Sequence, residues 1–123
     1  MSFEFYKILH LIGLFLLLSG LMGMLFLKIS KINLEGALKR LLFISHGLGL
    51  LLILVSGFGQ MARLGLVSEI PNWIYLKLLI WVYFGAAVVL IKKKGDTMGR
   101  ALYGAFITIF AVAAVIAILK PQF

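Results

Sequence analysis

Apolar residues fill four long runs of this chain, and polar residues gather in the short segments between the runs. Each run is close to the about 20 residues that an α-helix needs to cross the hydrocarbon core of a bilayer. The runs are continuous and lack the alternation of apolar and polar residues that marks the strands of a membrane barrel. The pattern therefore predicts four transmembrane helices, over residues 5–28, 41–61, 73–91 and 100–119.

The segments between these runs are short, so consecutive helices are expected to lie side by side in opposite directions. The predicted fold class is all-α: an integral membrane four-helix bundle with up-down topology. The chain has 123 residues, and four spans leave no room for a second core. Residues 1–123 are therefore expected to form a single transmembrane domain.

Composition strengthens the assignment to lipid. Hydrophobic residues make up 63% of the chain, whereas a soluble domain is roughly half apolar. Cysteine is absent, which excludes disulfides, thiolate metal sites, c-type haem attachment and cysteine catalysis. The acidic residues lie at the ends of the apolar runs or between them, so proton transport through a buried carboxylate is not predicted. They are Glu4, Glu35, Glu69 and Asp96.

The formal net charge is +8, but its distribution does not indicate a nucleic-acid-binding protein. The basic residues sit at the ends of the apolar runs, where they set topology and meet anionic lipid headgroups. They are concentrated in and beside two connections, residues 29–40 and 92–99. The positive-inside rule places both connections in the cytoplasm, and both termini and the remaining connection outside.

A polar stripe runs along the second predicted helix. Its members recur at steps of three or four residues and therefore share one helical face. Lipid would penalise this face, so it is expected to meet the bundle interior or a partner. In the alternative interpretation, Ser56 and Gln60 only bond to neighbouring helices, and Arg63 extends to the headgroups. The stripe consists of His46, Gly49, Ile53, Ser56, Gln60 and Arg63.

Four polar residues are predicted to converge near the outer ends of the helices. At a rise of 1.5 Å per residue, His10 lies about 9 Å and Lys77 about 6 Å below the outer boundary. Gln60 and Arg63 end the second helix at that level. His10 and Lys77 are therefore the candidate cofactor-binding residues, with Gln60 and Arg63 in supporting positions.

A second candidate pair lies deeper. His46 is roughly 20 Å from the outer boundary, near the depth of Met24. This depth differs from that of His10 by more than about 10 Å, so one haem held by both histidines is not predicted. Two alternatives stay open: an intramembrane histidine often bonds to a neighbouring helix, and a lysine as shallow as Lys77 extends to the headgroups.

Three segments together resemble a known group of small bacterial membrane proteins. The segments are YKILHLIG at residues 6–13, RLLFISHG at residues 40–47 and WIYLKLL at residues 73–79. The pattern is similar to the HemJ-type protoporphyrinogen oxidases and their SirB2-like and CopD-like relatives. That family is associated with oxidation of protoporphyrinogen IX and with bound haem b, and it relies on a histidine in its first helix and a lysine in its third. The resemblance implies these places for His10 and Lys77, and a bacterial inner membrane as the location.

The first functional hypothesis is therefore a protein that binds haem b or a porphyrin. His10 would ligate the haem iron, and Lys77 would be a second ligand or a partner for a substrate carboxylate. The sequence identifies no catalytic residues and leaves enzymatic activity open. The second hypothesis is a non-catalytic subunit or scaffold, which pairs with a second copy or another membrane protein through its glycine- and alanine-rich faces. A third is a module that holds a lipid or quinone between the first two helices.

Overall fold

A computed structural model describes residues 2–33 and 35–120 of the chain. Within these residues the structure consists of four α-helices and contains no strand. The helices are α1 (Phe3–Ile29), α2 (Gly36–Arg63), α3 (Asn72–Lys94) and α4 (Gly99–Leu119). The predicted all-α class and the four helices are confirmed. The up-down topology, the sidedness of the termini and the single domain stay predictions.

All four helices are long and apolar enough to cross a membrane. Each of them also presents large apolar side chains outward: Phe15 is 73%, Ile44 63%, Leu79 65% and Ile118 80% exposed. A soluble monomer rarely exposes apolar surface on this scale. An apolar exterior of this kind suits the hydrocarbon of a bilayer. The backbone is also suited to lipid, because a helix satisfies its own backbone hydrogen bonds.

The helices extend beyond the apolar runs that predict them. The second helix begins at Gly36 rather than at residue 41, and α3 continues to Lys94 rather than ending at residue 91. The end of a helix requires a capping group or a break in backbone geometry, and a change from apolar to polar side chains provides neither. The basic residues in the last turn of α3 also suit the negative end of the helix dipole. Pro121 follows the fourth apolar run, in a position where proline commonly ends a helix, and it lies outside the described residues.

Glycine ends α2 in a Schellman motif. Gly65 has a φ of +71°, a left-handed conformation that glycine adopts without the clash of a Cβ. The amide of Leu66 donates to the carbonyl of Met61, and the amide of Gly65 donates to that of Ala62. These two bonds satisfy carbonyls that the end of the helix would leave without partners.

The same motif ends α1 with a lysine in place of the glycine. Lys31 has a φ of +58°. The amide of Ile32 donates to the carbonyl of Leu27, and the amide of Lys31 donates to that of Lys28. The left-handed conformation places the Cβ of Lys31 close to a carbonyl oxygen, at a cost of roughly 1–2 kcal/mol.

Lys31→Gly is therefore expected to stabilise the protein by about 1 kcal/mol. The measurement is the midpoint of thermal unfolding in detergent. Lys31→Ala is the matched control, because it removes the same charge and keeps a Cβ. Equal midpoints for the two variants would contradict the account of this helix end.

The described residues fall into two compact units. The first unit combines residues 2–23 with residues 35–70 and so contains most of α1 and all of α2. The second unit combines residues 24–33 with residues 71–120, so the last turns of α1 join α3 and α4.

Glycine brings α1 and α2 into backbone contact in the first unit. A Cβ on Gly20 would lie 2.5 Å from the carbonyl oxygen of Leu42, and a Cβ on Gly13 would lie 3.1 Å from that of Gly49. Tyr6, near the start of α1, lies on Gly59, near the end of α2. The contacts run in opposite order along the two helices, which are therefore antiparallel. Small residues permit this close approach, as in other membrane helix pairs.

Aromatic rings form much of the core of the second unit. Phe84 of α3 and Phe106 of α4 are buried, with ring centroids 6.2 Å apart. Tyr83 contacts the edge of Phe106 at the same distance of 6.2 Å. Nearer the turn between α3 and α4, Ile91 is buried as well. Apolar packing of this kind gives the unit a defined interior that does not depend on polar contacts.

Candidate cofactor-binding site

The polar stripe of α2 faces α1. His46, Gly49 and Ser56 are buried, and each contacts α1 residues of the first unit. Gln60 is half-buried, and Arg63 is exposed in the last turn of α2. The prediction that this face avoids lipid is therefore correct for its buried members. The exposure of Arg63 matches the alternative in which its side chain extends to the headgroups.

His10 of α1 is hydrogen-bonded to Ser56 of α2, with 3.0 Å between Nδ1 and Oγ. The Ser56 hydroxyl has a single hydrogen, which it donates to the carbonyls of Leu52 and Ile53 on its own helix. Its oxygen must therefore accept the hydrogen bond from His10. If the imidazole is neutral, this network favours the tautomer that carries its proton on Nδ1.

The tautomer decides what His10 can do chemically. With the proton on Nδ1, the lone pair of the ring lies on Nε2. Nε2 is then the atom that ligates a metal or accepts a proton. Histidines that ligate metals commonly donate their other ring N–H to a fixed acceptor, which holds the ring and raises its basicity. Ser56 supplies such an acceptor, in a hydrogen bond that also joins α1 to α2.

Gly57, which has no side chain, lies on α2 beside the His10 ring. A Cβ built on Gly57 would meet Cε1 of His10 at 3.9 Å, an ordinary van der Waals distance. The His10 ring is half-buried rather than sealed in the interface. His10 therefore has a hydrogen bond on one ring nitrogen and is half-buried as a residue.

His46 occupies a different environment. It is 4% exposed, and its Nδ1 lies 3.5 Å from the carbonyl oxygen of Leu17. Its backbone amide packs against Gly20, where an added Cβ would lie 2.7 Å away. Ten residues of α2 separate it from Ser56, or about 15 Å at a rise of 1.5 Å per residue. His46 therefore packs between α1 and α2, at a depth different from that of His10.

The second unit contains the other predicted residues. Lys77 of α3 is half-buried, with the charge of Lys120 within electrostatic reach. Lys120 places its ammonium 5.7 Å from the ring centroid of Trp73, in a cation–π contact. Two lysine side chains thus lie near this end of α3. Met24 is 1% exposed, a fully buried core position.

His10 and Lys77 lie in different units, so a site that combines them remains a prediction. A site that combines His46 with Met24 also remains a prediction, and so does the support of Lys77 by Gln60 and Arg63. Within the first unit, the residue that does meet His10 is Ser56. Sequence reasoning missed this pair, although Ser56 belongs to the polar stripe. The register of the two antiparallel helices identifies the pair. Tyr6 lies on Gly59, so the residue one turn later on α1, His10, faces the residue one turn earlier on α2, Ser56.

Ser56→Ala is expected to remove the tautomer preference of His10. Without the hydroxyl oxygen, Nδ1–H loses its hydrogen bond to Ser56, and the ring should populate both neutral tautomers. The measurement is ¹⁵N NMR of histidine-labelled protein in detergent, with the His10 signals assigned through their loss in His10→Gln. Ser19→Ala is the matched control, since Ser19 donates to the carbonyl of Phe15 on its own helix, in the way Ser56 does to Leu52. A wild-type ring protonated on Nε2 would contradict the assignment.

Among residues 2–33 and 35–120, no group of three or more His, Asp or Glu side chains is arranged to hold a metal ion. A haem needs less from the protein, because the porphyrin supplies four ligands and the protein one or two.

The fold and the site together indicate a multi-pass membrane protein with four helices and an intramembrane histidine fixed by a serine. Comparison with protein-family models, curated proteins and solved structures finds no match. The family resemblance of the three sequence segments therefore stays a prediction.

Proposed function

We propose that this membrane protein binds haem b or a related porphyrin in a HemJ-like manner, with Nε2 of His10 as a ligand of the iron. The observation that carries the proposal is the hydrogen bond from His10 Nδ1 to Ser56 Oγ. It leaves the ring lone pair on Nε2 and holds the ring in one orientation.

The proposal draws on the chemistry of His10 and its neighbours in the first unit. A neutral imidazole is a ligand of the iron in many haem proteins, and Gly57 adds no side chain beside the His10 ring. When bound, haem supplies one-electron redox chemistry, which the axial ligand and its hydrogen bond tune. Ser56 would act as a positioning residue, because it contacts the ring and not the iron.

The second unit supports the proposal through charge. Porphyrins carry propionate groups, and carboxylates form their strongest hydrogen bonds with cationic donors. Lys77 and Lys120 place two such donors near each other, with Trp73 beside them. Lys77 is therefore proposed as a carboxylate partner or a second ligand, with Arg63 and Gln60 supporting at the same predicted depth.

The proposal is tested by titration of the detergent-purified apoprotein with hemin. We expect saturable binding of one haem per chain, with a shifted Soret band. His46→Gln should leave the stoichiometry and the spectrum unchanged, because His46 is buried in the helix interface. A linear, non-saturating titration would refute haem binding, and loss of binding in His46→Gln alone would refute the choice of His10.

The charge distribution supports a proposed orientation in a bacterial inner membrane. In this orientation the connections at residues 29–40 and 92–99 face the cytoplasm, and both termini face outward, as in an up-down bundle. Because the chain lacks cysteine, single-cysteine variants report topology without further changes.

Ser30→Cys and Thr97→Cys are expected to be protected from an impermeant maleimide in intact cells, whereas Ser68→Cys is expected to react. All three positions are exposed, and the substitutions leave the lysines and arginines in place. Labelling of all three in permeabilised cells is the control. The reverse pattern would overturn the orientation.

We also propose that α4 pairs with another membrane helix, which is the role of a subunit or scaffold. Small side chains at steps of three or four residues are exposed on one face of α4: Ala101, Gly104, Thr108 and Ala111. A Cβ on Gly104 would meet nothing within 4 Å, and small-residue faces of this kind permit close helix pairing. The partner is a second copy of this chain or another membrane protein.

Gly104→Leu is expected to shift the protein to a smaller assembly in analytical ultracentrifugation. The matched control is Gly47→Leu, the same substitution at an equally open position on α2. An unchanged mass for Gly104→Leu would exclude this face.

The third alternative, a quinone or lipid tail between α1 and α2, would have to separate helices whose backbones are in contact at Gly13, Gly20 and Gly49.

A further inference from the structure

An open groove lies at the end of the second unit where α1 ends and α4 begins. Its volume is about 350 Å³, and it is lined by Phe26, Ile29, Arg100 and Tyr103. The rings of Phe26 and Tyr103 form a tilted pair with centroids 5.8 Å apart. Both rings are nearly half exposed, Phe26 at 48% and Tyr103 at 43%. The groove thus combines apolar walls with a single cationic side chain.

Two glycines build this groove by holding the end of α1 against the turn between α3 and α4. A Cβ on Gly95 would lie 2.9 Å from Cβ of Lys28. A Cβ on Gly99 would lie 3.2 Å from the terminal methyl of Ile29 and closer to another carbon of that side chain. Both glycines are buried. The backbone around the groove is therefore held in place by tight packing of three chain segments.

The same packing gathers positive charge from all three helices of the unit. Lys28 comes from the last turn of α1, and Lys92, Lys93 and Lys94 form the last turn of α3 beside Gly95. Arg100 stands in the first turn of α4. Asp96 is the acidic residue of the turn. An anion that reaches the groove therefore meets a strongly positive surface at the boundary of the apolar spans.

The start of α4 adds to this attraction. Met98 precedes the helix and makes no side-chain capping bond. The first amides of α4 therefore carry the partial positive charge of a helix N-terminus, which favours a phosphate. Arg100 in this first turn has the planar donors that bind phosphate oxygens in pairs.

We propose that this groove binds one anionic phospholipid, with the phosphate on Arg100 and an acyl chain along Phe26 and Ile29. A soluble phosphate compound would use the arginine but would leave the exposed aromatic walls without a partner. A zwitterionic lipid would cover the walls but would gain less from the surrounding cations. Only an anionic lipid matches both features. The proposal does not depend on haem binding.

The test is lipid titration of the delipidated protein in detergent, followed by native mass spectrometry. The probes are phosphatidylglycerol and phosphatidylcholine with identical acyl chains. We expect one tightly bound phosphatidylglycerol per chain and weaker binding of phosphatidylcholine. Arg100→Gln should weaken phosphatidylglycerol binding by at least about tenfold, since it removes a charged, paired hydrogen bond. Arg100→Lys should restore part of it.

Arg40→Gln is the matched control, because it removes an exposed arginine near the start of α2 in the first unit. It should bind phosphatidylglycerol as the wild type does. Equal binding of both lipids by the wild type, or equal weakening by the two arginine variants, would overturn the site. Competition by glycerol phosphate at the concentration of the lipid itself would also overturn it, since the apolar walls would then contribute nothing.

Discussion

Gly49→Ala is expected to push α1 away from α2 and to destabilise the protein by about 1–3 kcal/mol. A Cβ on Gly49 would lie 2.7 Å from the carbonyl oxygen of Gly13 and closer still to the amide nitrogen of Leu17. Both neighbours are backbone atoms of α1, so no side-chain rotation can relieve the clash. The helices must separate, and the contacts of the whole interface weaken with them.

The measurement is the free energy of unfolding in mixed detergent and denaturant, compared with that of Gly47→Ala. Gly47 lies two residues away on α2, and a Cβ there meets nothing within 4 Å. Gly47→Ala should be neutral or should stabilise by up to about 1 kcal/mol, because alanine has the higher helix propensity. Equal effects of the two substitutions would show that α1 and α2 do not approach as closely as described.

The second large effect is expected from His10→Gly, which should remove the Soret band of the haem-loaded protein. Glycine deletes the imidazole and leaves a space of its size beside Ser56 and Gly57. Added imidazole should enter this space, donate to the Ser56 oxygen and restore the band. The measurement is the absorption spectrum of His10→Gly with hemin, recorded against imidazole concentration.

Restoration of the Soret band by added imidazole distinguishes a haem ligand at His10 from a residue that only packs. If His10 only bridged α1 and α2, its loss would lower stability, and imidazole would not restore a spectrum. The double variant His10→Gly with Ser56→Ala provides the control. It should need a higher imidazole concentration, about 10–100-fold by the usual effect of removing a hydrogen-bond partner of a ligand. A Soret band that persists in His10→Gly without imidazole would contradict the assignment.

The four helices are predictable because few backbone structures are stable across a lipid bilayer. An apolar run of this length must form a helix in hydrocarbon, where unpaired backbone groups are costly. Helix ends are less predictable. The left-handed residue that ends α2 is a glycine, Gly65, whereas the one that ends α1 is Lys31. Lysine gives no sequence signal for this conformation, because only the surrounding backbone hydrogen bonds hold it there.

The face of α2 that meets α1 was predictable, but the partner of each residue was not. Periodicity places His46, Gly49 and Ser56 on one side of the helix. It does not fix the register between two helices, which here depends on close contact at Gly13, Gly20 and Gly49. The similar predicted depths of His10, Lys77, Gln60 and Arg63 in the membrane gave the prediction that these four residues form one site. The contact at Ser56 became visible once the register was known.

Charge patterns identify the basic ends of the helices but not the groove beside them. The residues that line it come from α1 and α4 and are far apart in sequence. Their approach depends on Gly95 and Gly99, which pack on Lys28 and Ile29. In the sequence these glycines indicate a turn, and their second role appears only when α1 is seen against that turn.

The most direct test of the account is the absorption spectrum of the wild-type protein purified from cells supplied with a haem precursor. It should be recorded after air oxidation and again after reduction with dithionite. Haem ligated by His10 predicts a Soret band in the oxidised protein and sharpened bands after reduction. A featureless spectrum in both states, from folded protein, would contradict haem binding and would favour the role of a subunit or scaffold.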